Sequence, residues 1–106
     1  MKILYVDEDS SPNYWVREEN EIFMTTNYNI TKEILARDRF DILDLSLDLI
    51  ELEDCWSVIR YIIQEEIELP QIYLHSCSFD HMQEMIKMCK QFTDSEVQYY
   101  IKSWFL

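Results

Sequence analysis

Residues 39–54, RFDILDLSLDLIELED, constrain the fold of this chain more than any other stretch. Ile42, Leu43, Leu45 and Leu47 form an apolar run of strand length with charge on both sides. Such a run reads as a strand buried on both faces at the centre of a parallel sheet. The same window carries six carboxylates, Asp41, Asp44, Asp48, Glu51, Glu53 and Asp54, and one base, Arg39. In open parallel sheets ligands bind beyond the carboxyl ends of the strands, so Asp48 to Asp54 fall where a site is expected.

The remaining segments alternate around this strand. Lys2–Val6 reads as a strand with Asp7-Glu8-Asp9 at its carboxyl end. Ser10 to Asn13 is loop chemistry, and Tyr14, Trp15 and Val16 are expected to fold back as a lid, since an exposed Trp between two apolar neighbours is costly. Ile22–Thr26 is a second strand, rich in β-formers. Asn29 or Thr31 then caps a helix of about two turns, Lys32–Arg37. After the central strand, a helix from Asp54 to about Glu66 places Cys55, Val58, Ile59, Ile62 and Ile63 on one stripe. Gln71–His75 is a further strand, and Phe79–Phe92 a helix carrying Met82, Met85, Ile86 and Cys89 inward. Thr93 and Glu96 match a capping box, and Val97, Tyr100, Ile101, Trp104 and Phe105 keep helical spacing, which predicts a terminal helix; a strand over Tyr99–Ser103 is the alternative. The alternation predicts a three-layer α/β sandwich with right-handed connections and a parallel sheet in the order 2-1-3-4.

At 106 residues the chain fits one domain, 1–106, and 48% hydrophobic residues suffice for its core. It contains no glycine, against an average near 7%. Glycine-rich phosphate loops are thereby excluded. With 21 acidic and 9 basic residues the net charge is −12, which repels nucleic-acid backbones and membrane surfaces and attracts cations and basic proteins. Three cysteines without framework spacing fit a reducing cytoplasm. No apolar run reaches the ~20 residues of a membrane span, and the segment MKILYVDEDS lacks the apolar region of a signal peptide.

Three motifs align in order with the cyclic-phosphate-processing receiver-like (cREC) domains, over roughly residues 1–92. LYVDED at Leu4–Asp9, with Pro12 and Trp15 after it, resembles that family's opening strand, acidic pair and Pro- and Trp-containing segment. FDILDLSLDL at Phe40–Leu49 is similar to its F-D-x-I-S-L-D-H-D-L-G, and PQIYLHSCS at Pro70–Ser78 to its P-x-I-x-V-H-S-x-N-P. The resemblance implies a receiver-like, flavodoxin-like fold and a proposed phosphoester chemistry. Within the motifs, Ser46 and Leu47 stand where the family has Asp and His, and Ile50 replaces its Gly. Ser46 also holds the position of the phosphorylated aspartate of an ordinary receiver, and a serine is no acyl-phosphate acceptor.

Two functions follow as expectations. In the first, the domain is a degenerate receiver that binds instead of catalysing. An acidic face of Asp41, Asp44, Asp48, Glu51, Glu53 and Asp54, with Trp56 as an exposed anchor, engages a basic protein surface. That is the profile of an inhibitor or adaptor, including phage anti-defence proteins that mimic DNA charge, with neither direct nucleic-acid nor membrane contact and no cofactor. In the second, Asp7, Glu8 and Asp48 hold Mg²⁺ or Mn²⁺ as hard oxygen ligands, and His75 with Asp48 acts on cyclic or terminal phosphates as acid or base. Against the second, His75 reads equally as a buried histidine bonded to Ser76 or an adjacent carboxylate. His75, Cys77 and His81 also suggest zinc but lack a fourth ligand nearby.

Overall fold

The computed structural model describes residues 1–7, 15–47, 52–76 and 82–101. Five strands, β1 (Lys2–Val6), β2 (Glu21–Thr25), β3 (Ile42–Ser46), β4 (Gln71–Ser76) and β5 (Glu96–Ile101), form one sheet in the order β2-β1-β3-β4-β5. Every pairing is parallel. Helices α1 (Tyr28–Arg37), α2 (Leu52–Gln64) and α3 (Met82–Phe92) connect the later strands. β3 is buried along its whole length beside β1, with Ser46 its last residue, as the apolar run predicts. Among the described residues no helix is long and apolar enough to cross a membrane.

Strand pleating sorts the side chains onto two unequal faces. Leu4, Val6, Leu43, Leu45, Ile72 and Leu74 face all three helices and form the main core with them. Ile3, Tyr5 and Ile42 lie on the opposite face, where Trp15 covers them. Topology explains this division. The connections β2→β3, β3→β4 and β4→β5 all step the same way across the sheet, so right-handed crossovers put their helices on one side. Only β1→β2 steps back, and its side of the sheet is the one that carries Trp15. The described helices therefore make one layer; the second helical layer of the expected sandwich is not among the described residues. Trp15 is the lid that was expected, but its neighbour Val16 is 64% exposed and Tyr14 lies outside the described residues.

Helix α1 starts four residues before the expected Lys32, because the Asn27 side chain accepts the Ile30 N–H (3.1 Å). The terminal helix is not formed over its first half, which is β5. The apparent capping residue Thr93 instead donates its hydroxyl to the Cys89 carbonyl at the end of α3. Ser95 donates to Leu69 O and Glu96 N–H to Pro70 O, which steer the chain into the ladder beside β4. Val, Tyr and Ile at 97 and 99–101 suit that pleated position, so tertiary pairing overrides the helical spacing. Trp104 and Phe105 lie outside the described residues.

Helix α2 ends in a Schellman turn: Ile67 N–H bonds to Ile62 O and Glu66 N–H to Ile63 O. Its left-handed position is Glu66, at φ 51°. Glycine is the residue this position favours, and this chain has none. Glu66→Gly should raise stability by about 1 kcal/mol through relief of the Cβ clash. Chemical denaturation checks this, and an unchanged or lower midpoint counts against it.

Candidate functional site

The side of the sheet away from the helices carries polar residues in a row of close register. Tyr5 pairs with Asp44 and Asp44 with Tyr73; Ser46 pairs with His75 and His75 with Tyr100. Asp7 follows the registered pair Val6–Leu45, so the same ladder sets it beside Ser46. Asp7 and His75 thus stand two strands apart, with only the small Ser46 between them, and the imidazole reaches across it.

His75 Nε2 lies 2.7 Å from Asp7 Oδ2, and Nδ1 lies 2.5 Å from Asp44 Oδ1. The other Asp44 oxygen accepts from Trp15 Nε1 (2.6 Å) and the Tyr100 hydroxyl (2.6 Å). Asp7 Oδ2 also accepts from the Tyr5 hydroxyl at 3.2 Å. The imidazole is stacked between the Tyr5 and Tyr100 rings, with centroids at 5.3 and 5.2 Å. Asp44 and His75 are fully buried, and Asp7 is 8% exposed.

This arrangement favours a protonated ring. A neutral imidazole has one N–H and one bare lone pair, whereas here both nitrogens face carboxyl oxygens, and an imidazolium can donate to both. Burial alone would push the His75 pKa down, but the hydrogen bonds and charges of Asp44 and Asp7 outweigh it and raise the pKa above its ordinary value. The Tyr100 phenol is pushed far up by burial and by the adjacent Asp44 charge, so it remains a donor. The cluster holds the imidazole between two carboxyl groups and joins β1, β3, β4 and β5.

Placement of the expected site residues is mixed. Asp44 belongs to no surface: it is the buried centre of this network. Asp41 is exposed at the amino end of β3, where its carboxylate accepts the Lys2 N–H (2.7 Å). Asp48 and Glu51 lie outside the described residues, and Glu53 and Asp54 fall in the first turn of α2. Trp56 is half-buried and packs against the main core, so it is not an exposed anchor. Of the expected cation ligands only Asp7 is described, and its Oδ2 contacts the Tyr5 hydroxyl and His75 Nε2. Among the described residues no group of three or more His, Cys, Asp or Glu side chains is arranged to hold a metal ion. Cys77 and His81 lie outside the described residues, as do Glu8 and Asp9.

Sequence reasoning missed Tyr5, Trp15 and Tyr100 as partners of this cluster. One signal was present: an aspartate inside an apolar run buried on both faces must find donors. No protein-family model matches the chain, and no curated protein is similar to it.

Proposed function

We propose that this protein is a receiver-like, flavodoxin-like domain without a catalytic centre, one that binds a basic surface of another protein as an inhibitor or adaptor. In this reading a further layer completes the sandwich on the Trp15 side of the sheet. The observation that carries it is the closure of His75. The residue that a phosphoesterase would use as acid or base has both nitrogens engaged by carboxylates, both ring faces covered and no exposed surface. Ser46, in place of an acceptor aspartate, is likewise buried. What remains for interaction is the strongly acidic exterior, which favours a cationic partner and speeds encounter with it. The phage anti-defence role is one member of this class.

With Mg²⁺ or Mn²⁺ the purified protein should turn over 2′,3′-cyclic phosphates no faster than a folded His75→Gln variant. Turnover abolished by that substitution would establish the metal-assisted phosphoesterase instead, with Asp7, Glu8, Asp48 and His75 as its residues. Affinity capture should retain a basic protein that elutes as salt rises. Capture indifferent to salt would remove the electrostatic basis of the reading.

A further inference from the structure

All five strands run parallel, so all of them begin at one end of the sheet, and the helix-to-strand connections end there too. Residues 17–21, 37–41, 65–71 and 93–96 bring ten exposed carboxylates to this amino-terminal end, against three arginines; Lys2 of β1 is a fourth cation. The end opposite the receiver-type site is therefore itself strongly anionic. A groove of about 600 Å³ opens into it between the last turns of α2 and α3. Ile63, Ile67 and Phe92 supply its apolar lining and Glu66, Glu68 and Asp94 its charge, with no basic residue on its walls. Phe92 is 56% exposed, an aromatic ring that the fold itself does not use for burial. Glu68 pairs with Arg39 at 3.4 Å, but both side chains are more than four-fifths exposed, so the pair is readily exchanged. Among the described residues no cation pairs with Glu66 or Asp94.

We infer that this groove is the docking site for the basic partner. It takes an apolar side chain flanked by arginine or lysine, with the apolar group on Phe92, Ile63 and Ile67 and the cations on Glu66, Glu68 and Asp94. This rests on the acidic-module reading and gives it a location. Charge complementarity selects the occupant: an apolar groove walled by carboxylates rejects an acidic or a purely apolar segment. A guanidinium gains charge-assisted hydrogen bonds from the carboxylates and can stack on the Phe92 face.

The probe is a synthetic peptide with one leucine between arginines, titrated into the isotopically labelled protein at low salt while backbone amide shifts are followed. Saturable shifts are expected at residues 62–69 and 92–95. Replacing the peptide leucine by serine, or introducing Phe92→Ser or Glu66→Gly, should each weaken binding roughly three- to fivefold, the scale of one exposed contact. Glu66→Gly separates binding from folding, because it removes the carboxylate while relieving the backbone. Salt-sensitive binding that maps elsewhere and ignores Phe92→Ser and Glu66→Gly overturns the groove but leaves the acidic-module reading standing. Absence of saturable binding by any basic peptide overturns the groove, and if no basic protein is captured from lysate either, the acidic-module reading falls with it.

Discussion

Asp44→Ala should destabilise the fold by about 3–5 kcal/mol, the scale of breaking a buried ion pair from one side. For a domain whose total stability is roughly 5–15 kcal/mol that is a large share. The loss has identifiable parts. The His75 imidazolium loses one of its two counter-charges, and the Trp15 Nε1 and Tyr100 hydroxyl donors lose their shared acceptor in a site closed to water. Urea denaturation should show a lower midpoint with an unchanged slope. Combining Asp44→Ala with His75→Ala should cost less than the sum of the two, because the second substitution removes the charge the first one strands. Strict additivity would mean that the short distances carry no energetic coupling.

The second large effect depends on pH. The hydrogen bonds and charges of Asp44 and Asp7 raise the His75 pKa above the ordinary value near 6.5 against the opposing effect of burial. The contribution of His75 is therefore complete below the unfolded value and is lost as the pH rises through the folded one. On deprotonation one nitrogen becomes a lone pair facing a carboxylate, while Asp7, Asp44, Tyr5 and Tyr100 remain around it. The unfolding free energy of the wild type should decline from neutral into alkaline pH, and that of His75→Gln should decline less. Tyr100 does not confuse the reading, because burial and Asp44 keep its phenol protonated throughout; burial likewise pushes the Cys89 thiol up to about 12. Parallel curves for wild type and variant would assign the alkaline loss to other groups.

Much of the architecture was legible before any coordinates. The run at Ile42–Leu47 located the central strand, and the i, i+3, i+4 stripes of α2 and α3 located their buried faces, because hydrophobic period is a direct imprint of geometry. The tail misled because Val97, Tyr100 and Ile101 satisfy helical spacing, while what decides their conformation is the open edge of β4, a partner 20 to 30 residues away in sequence. The site was half visible. His75 and Asp7 stood out as polar residues at strand ends, and a buried histidine on a neighbouring carboxylate was one of the readings. Asp44 was placed with its acidic neighbours because adjacency in sequence suggested a shared surface. Strand pleating instead turned it inward, while Asp41, three residues earlier, is exposed at the amino end of the strand.

The charge cluster also bears on the order in which the chain can assemble. Its contacts join residues 31, 56 and 68 positions apart, and the last member is Tyr100. Closing such distant pairs is slow and entropically costly until most of the sheet exists. A nascent chain that has delivered β1 and β3 but not β5 carries Asp44 without one of its donors, and that aspartate has every reason to remain in water. Completion of the sheet is then a late event in which several desolvated charges close together. Substitutions at His75 or Asp44 should consequently accelerate unfolding far more than they retard folding, so that the cluster acts as a latch on the finished domain and contributes little to its nucleus.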